Sequence, residues 1–530
     1  MNKVSKTALF CLLFILSTLL SGMKQQDSPS TQKGKTKVIM EYADSTVFER
    51  NSNPDIHVMR GNVKFRHDST YLFCDSAYFY QNENSLEAFS NVRIEQGDTL
   101  FIYGDYLMYE GNLNLAKMRQ NVRMENRNNT LFTDHLDYDR NRNLGYFFDG
   151  GLLVDSLNEL NSIYGQYSPD TKMAIFKDSV RLVNPQFVMA SDTLEYDTRS
   201  KIATILGPTV IESDSGFIHS TRGWYNTETD LSTLYDRSVV WSKDSVRSLT
   251  ADTILYNRQT GFGEAFSRMV LNDTVKKIIL TGHYGYYDDA TGSALATDSA
   301  QVIEYSQKDS LFLHADTVQL LTVGTEREVK AFYGVRIYRV DLQGVCDSLQ
   351  FNTVDSTIYL HKNPVLWNTG YQITGDTIKI LLNDSTLERV DVRDRSFAIE
   401  EKDTTYFNQI KGKNLTAFFT GGELNQIEVE GNTESIYYPI EDKGTEFLGR
   451  NKTESPFMTI YIEQRKPVKI RWQPSPKAEM LPIPDLTPES KFLKGFVNYD
   501  YLRPQNREDI FTQTVIRTED IPAPKRRRHH

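Results

Sequence analysis

Cys74-Asp75-Ser76-Ala77-Tyr78-Phe79 decides the fold, because it returns through most of a chain of 530 residues. Later copies read Gly104-Asp105-Tyr106-Leu107-Met108-Tyr109, Ser191-Asp192-Thr193-Leu194-Glu195-Tyr196 and Ala251-Asp252-Thr253-Ile254-Leu255-Tyr256. Two more are Ala315-Asp316-Thr317-Val318-Gln319-Leu320 and Gly375-Asp376-Thr377-Ile378-Lys379-Ile380. The last position forms a ladder through Phe79, Tyr109, Tyr138, Tyr167, Tyr196, Tyr225, Tyr256, Tyr286, Leu320, Phe351, Ile380 and, more loosely, Phe418, with steps mostly of 29 to 31 residues. A fixed period of this size marks one supersecondary unit stacked many times.

A second ladder runs in phase through Val63, Val92, Val122, Leu152, Val180, Val210, Val239, Val270, Val335 and Val365. Its early members follow turn-like pairs: Gly61-Asn62, Ser90-Asn91 and Gln120-Asn121. One repeat reads as a strand at 91–95, a turn at Gly97-Asp98 and a strand from Thr99 through the Asp105 corner to Tyr109. A turn at 110–112 and a short strand at 115–118 complete it. Val, Ile, Tyr, Phe and Thr between Asp, Asn and Gly punctuation favour short strands that fold back with bends, so the class is all-β.

The remaining features bound the function. A formal charge of −10 argues against nucleic acid and against electrostatic capture of anionic headgroups, though not against the apolar part of an anionic lipid. Lys3 and Lys6 before the apolar run 8–20 read as an export signal over 1–22, cleaved rather than retained as an anchor, with a linker at 23–35. Cys74 and Cys346 share the small-residue slot before the corner. They lie too many rungs of about 4.8 Å apart to form a disulfide, and read as buried fillers.

The repeated Asp residues lack the Gly-Gly-x-Gly-x-Asp pattern of calcium-binding rolls and read as corner residues bonding nearby backbone N–H groups. The aromatic ladder reads as core packing or as the lining of a trough; both strand parities carry apolar residues near the corner, so periodicity leaves the face open. The sequence has no metal-site spacing, nucleophile elbow or phosphate loop, and no enzyme or cofactor is expected. Prolines 474, 476, 482, 484 and 488 and the basic end Lys525-Arg526-Arg527-Arg528 suggest a disordered tail over 473–530.

Gly61-Asn62-Val63, Ala251 to Tyr256, and the Gly412-Lys413-Asn414-Leu415-Thr416-Ala417-Phe418 and Leu424 to Asn432 runs resemble the OstA/LptA family of periplasmic lipopolysaccharide-transport proteins, over roughly 36–472. The resemblance implies an elongated open β-jellyroll of about twelve stacked ~30-residue repeats of V-shaped antiparallel strands, here 36–380 with a continuation over 381–472. It implies a periplasmic, non-catalytic carrier sheltering lipid A acyl chains in an apolar groove. Partners would be inner- and outer-membrane jellyrolls, with head-to-tail self-association.

On that expectation Val63, Val92, Ile94, Val122, Met124, Val180 and Val210 line the groove. Val38, Met40 and Tyr42 at one end, and Met458, Ile460 and Ile462 at the other, form docking edges. Two further readings stay open: a β-solenoid that binds or cleaves envelope polysaccharide, and an envelope scaffold packed shut. The chain is longer than a single short jellyroll and could hold two fused ones.

Overall fold

The computed structural model describes residues 36–48, 55–306, 308–323, 326–352, 355–368, 370–383, 386–421, 423–440, 446–464, 466–512 and 517. The expected signal at 1–22 and the basic C-terminal end lie outside them. Among the described residues there are 38 strands and four short 3-10 turns, so the all-β expectation holds. All strand pairings given below are antiparallel. The chain divides into two compact units, Met1–Arg127 with Phe132–Gly145 and Asn128–Leu131 with Tyr146–His530.

The first unit shows the repeat most simply. Strands β1 (Ile39–Tyr42) and β2 (Ser45–Phe48) pair with the two halves of β3 (Ile56–His67). β4 (Thr70–Tyr80), β5 (Ser85–Gln96), β6 (Leu100–Glu110) and β7 (Leu115–Asn126) then follow, each paired with the one before. Every long strand bends at the same place. In β3 the pairing passes from Arg60↔Ser76 to Val63↔Cys74, so Gly61 and Asn62 stand opposite Asp75 alone.

This two-against-one bulge turns the strand and resets its side-chain alternation. The bulge pairs are left-handed: φ is 78° and 48° at Gly61 and Asn62, 64° and 52° at Ser90 and Asn91, and 63° and 51° at Gln120 and Asn121. Short polar residues and glycine tolerate this region best, which explains the turn-like pairs ahead of the valine ladder. Gly61 is required for a further reason: a Cβ there would lie 2.3 Å from Asp44 Oδ2.

The reset resolves the parity question. Leu72 and Cys74 face inward before the corner, and Ala77 and Phe79 face inward after it. Tyr71, Phe73 and Tyr78 face outward, where Lys64 stands 4.6 Å from the Tyr71 ring and Arg93 4.4 Å from the Phe73 ring. Each bend thus leaves two walls, one from the half-strands on the valine-ladder side of the corner and one from those on the other side, with apolar side chains between them.

In the second unit the same pattern recurs between Met173–Asn184 and Leu342–Asn352, with left-handed pairs at Asp178-Ser179, Asp236-Arg237, Ser267-Arg268, Asp298-Ser299 and Tyr333-Gly334. It is broken into four short strands over Ile202–Ile205, Thr209–Ser213, Gly216–Ser220 and Arg222–Asn226. Described residues of the expected continuation over 381–472 include a series of strands, ending in Arg450–Glu463 and Lys466–Gln473.

The tail departs from expectation where it is described. Lys477–Leu481 is a strand paired with Arg450–Glu463, and four 3-10 turns follow. Leu493, Leu502 and Ile510 are buried. Proline-rich composition signals the loss of strand hydrogen bonding, but it does not prevent an extended segment from docking through isolated leucines.

Candidate functional site

The corner Asp residues are structural, by a route other than backbone capping. Asn91 Nδ2 donates to Asp75 Oδ2 at 2.6 Å, and Asn121 Nδ2 to Asp105 Oδ2 at 2.5 Å. In the second unit Arg268 Nη2 meets Asp252 Oδ1 at 2.7 Å, and Lys362 Nζ meets Asp347 Oδ2 at 2.7 Å. These four corner carboxylates accept from the side chain of the next corner, whereas Asp192 accepts from Thr193 Oγ1 at 2.9 Å, Asp316 from Thr317 Oγ1 at 3.4 Å, and Asp134 from Asn121 N at 3.2 Å. Among the described residues no group of three or more His, Cys, Asp or Glu side chains is placed to hold a metal ion.

The rim opposite the corners is where the tips of the two walls meet. In the first unit His67 Nδ1 and Tyr109 Oη are 2.6 Å apart, with Arg140 Nη1 donating to the same hydroxyl at 2.5 Å. Burial and the neighbouring Arg140 cation hold the His67 imidazole below the usual histidine range. On the next rung the Tyr138 hydroxyl donates to Gln96 Oε1 at 3.2 Å and also reaches Asn143.

The second unit repeats the device. Asn129 Nδ2 donates to Tyr167 Oη at 3.2 Å, and Asn158 Nδ2 to Tyr196 Oη at 2.7 Å. Tyr196 in turn donates to Asp155 Oδ2 at 2.6 Å, where Lys201 Nζ stands at 2.9 Å. Burial pushes the Asp155 carboxyl up, but the Tyr196, Lys201 and backbone N–H donors outweigh it and hold the group below its usual range. Tyr225 donates to Asp230 Oδ1 at 2.6 Å, and Arg258 closes the group. In both units the bonds across the mouth join residues 38 or 42 positions apart or link such a pair to its neighbours, whereas Tyr225 bonds Asp230 five residues on and reaches Gln186 through Arg258. The tyrosine ladder is therefore a polar zipper across the mouth as well as core packing.

Past Arg247, which bonds Tyr287 and meets Asp289 at 2.8 Å, the chemistry of the rim changes. On one wall Ile278, Leu311 and Leu342 become tip positions, paired with the charged tips Asp273, Glu304 and Arg339, and on the other the tyrosine ladder gives way to Leu320, Phe351 and Ile380. Tyr256 and Tyr286 are only partly buried, unlike Tyr138, Tyr196 and Tyr225 at 0% exposure.

The aliphatics behind the rim follow suit. Leu153 and Leu182 are 0% and Ile211 1% exposed, whereas Val240 is 9% and Leu271, Val302 and Ile337 are each 7% exposed at the same register. The facing wall supplies the small residues Gly263, Ala265, Gly285, Ala294 and Ala296 here, beside Tyr287 and Leu320. These leave a cavity of about 20 Å³ lined by Leu271, Ile278, Leu280, Ala294 and Leu320, with Arg247 and Asp273 at its polar end.

Most of the expected groove residues face inward. Val63, Val92, Ile94, Val122, Met124 and Val180 are all 1 or 2% exposed, inside zippered stretches rather than on an open trough. Val210 is a correction: it is 40% exposed and pairs with Ala190 and His219 on the outer face. The ladder slips by one residue there, and Thr209 takes the inward place.

The edges also need correcting. Met40 and Tyr42 are 42% and 53% exposed on β1, which among the described residues pairs with β3 alone. Val38 is buried, its N–H held by Asn84 Oδ1 at 2.8 Å. Met458 and Ile460 are buried in a strand paired on both sides, and Ile462 is half-buried. The terminal edge is instead Lys466–Gln473 and Lys477–Leu481, one strand further on.

Cys74 and Cys346 are buried and free, each thiol pushed up to about 12 by burial. Among the described residues no helix is long and apolar enough to cross a membrane.

Residues 35–192 match the family model of the OstA-like protein. The resemblance read from the repeats is thereby met over that stretch. No curated protein matches the chain.

Proposed function

We propose, from the OstA-like stretch and the geometry of the rim, that this protein is a non-catalytic periplasmic carrier of lipopolysaccharide. The acyl chains enter between the walls where the rim is aliphatic, and the zippered stretches hold the walls together elsewhere. The observation that carries this reading is the replacement of the hydrogen-bonded tyrosine ladder by Leu320, Phe351 and Ile380, facing a wall where Ile278, Leu311 and Leu342 alternate with charged tips, with a cavity behind the first of these rungs.

The driving force is desolvation, about 0.8 kcal/mol for each acyl CH₂ taken from water. A cavity of about 20 Å³ holds little more than one water, so loading requires the walls to part. Separating the walls here forfeits mainly apolar packing, whereas parting the zipper would strand several buried hydrogen-bonding groups. The partial burial of the aliphatics here fits a seam that opens.

The exposed β1 edge suits pairing with a jellyroll partner that bridges inner and outer membranes. The opposite edge carries Lys466, Pro467 and Lys469, residues that discourage indiscriminate pairing.

Titration of the purified chain with fluorescent lipopolysaccharide tests the proposal. Saturable binding is expected, lost in Leu320→Asp and absent with deacylated lipopolysaccharide. Equal binding of the deacylated polysaccharide would support the polysaccharide reading instead. No binding of either ligand would leave the scaffold reading.

A further inference from the structure

After Leu481 the chain turns back along the outer side of the wall formed by strands of the second unit. This is a use of that face that lipid carriage does not require. Successive points of the strap meet strands of decreasing number: Ser490 O accepts from Arg450 at 2.8 Å, and Leu502 O from Arg336 at 3.1 Å. The Phe511 ring lies 4.8 Å from the His314 ring, tilted by 52°.

Two glutamines hold the strap in the same way. Gln409 Nε2 donates to Lys491 O at 2.9 Å while its Oε1 accepts from Leu493 N at 2.8 Å. Gln372 Nε2 donates to Val497 O at 2.9 Å while its Oε1 accepts from Tyr499 N at 2.8 Å. Each side-chain amide thus pairs with the backbone of residues two apart, as a neighbouring strand would.

Both glutamines are buried, 0% exposed at Gln409 and 5% at Gln372. A buried amide without a ligand would cost the desolvation of two polar atoms, so these positions make sense only with an extended backbone in place. Between the clamps lie apolar seats. Leu493 packs among Phe397, Ile399, Phe407 and Tyr438, and Leu502 packs on Val365 and Trp367.

We propose that this outer wall is a receptor for an extended, leucine-anchored peptide, filled within one chain by residues 490–511 and, between two copies of this chain, by the strap of the second copy. The clamps read backbone, and the spacing of Leu493 and Leu502 supplies specificity that this chain's own strap satisfies. The connector 482–489 contains Pro482, Pro484 and Pro488. In this structure Ile483–Asp485 forms a 3-10 turn, and Ile483 and Leu486 pack against the Phe397 cluster. Once these contacts part, the eight residues of the connector at about 3.1 Å each reach roughly 25 Å, enough to present the strap to a neighbour. A tethered strap competes at an effective concentration of order millimolar, so exchange shows only when one wall and the other strap are weakened.

Complementary full-length variants test this. Gln372→Leu with Gln409→Leu removes the clamps and keeps the strap; Leu502→Ala with Ile510→Ala weakens the strap and keeps the wall. Sedimentation of the mixture is expected to show a 1:1 complex above whatever association either variant shows alone. Two folded variants that remain separate when mixed would overturn the proposal. The single substitutions Gln372→Leu and Leu502→Ala serve where a double variant fails to fold. On the strap-weakened variant Leu502→Ala with Ile510→Ala, a labelled peptide of residues 488–512 is expected to give saturable anisotropy, and no binding to the folded variant overturns the proposal.

Discussion

Asn158→Ala removes one tooth of the polar zipper, and its cost follows from the contacts. Asn158 is 1% exposed. Its Nδ2 donates to Tyr196 Oη at 2.7 Å and Thr227 Oγ1 at 3.0 Å, and its Oδ1 accepts from Asn184 at 2.9 Å. Its own N–H stays bonded to Asp155, so the local turn survives the change. Three buried hydrogen bonds at about 1 kcal/mol each give a loss of about 3 kcal/mol, reduced where Tyr196 and Thr227 keep their other partners.

A repeat array opens locally, so native-state hydrogen exchange is a better assay than one unfolding midpoint. With about 1.4 kcal/mol per tenfold, the amides of 193–197 should exchange roughly a hundredfold faster. Amides of 311–323 should be unaffected. An acceleration below about threefold at 193–197 would refute the idea that cross-wall bonds hold the rim shut.

Other outcomes follow from individual residues. Cys74 and Cys346, buried with thiols pushed up to about 12, should resist a thiol reagent in the native protein and react on unfolding, which a timed labelling assay reads. Asp75→Asn at an exposed corner should change stability by no more than about 1 kcal/mol and leave lipid binding intact; a loss of binding would return the corner carboxylates to functional candidacy. His67 has its folded pKa below the unfolded value of about 6.5, so its contribution is complete above that pH and declines as pH falls. Protection of the β3 and β6 amides should therefore weaken between about pH 7 and 5, and His67→Gln should flatten that dependence.

Much of the architecture was legible because it repeats. The corner pairs, the Asp slot and the tyrosine ladder keep phase, and the bend geometry demands those residue types at each copy. What escaped was whatever breaks phase. Val210 looks like a ladder member, but a one-residue slip hands the inward place to Thr209. The last docking strand was placed one strand early, because apolar alternation at Met458 and Ile460 marks burial rather than an edge.

The strap was missed through its prolines, although a signal existed. Gln343, Gln372 and Gln409 each stand four residues before their corner residue, where earlier repeats carry Tyr71 and Phe101. Glutamine recurring at one register position is a request for a backbone partner. The zipper itself was half legible: the tyrosines were plain, but their partners lie 38 or 42 residues away, a distance set by how the walls close.

The most direct test of the account places a photo-crosslinking residue at Leu320, on the aliphatic rim, and at Leu182, inside a zippered stretch, and exposes each chain to lipopolysaccharide. Adducts at Leu320 and none, or far fewer, at Leu182 are predicted. Adducts at Leu182 without any at Leu320, or at neither position in a folded chain, would contradict entry through the aliphatic rim.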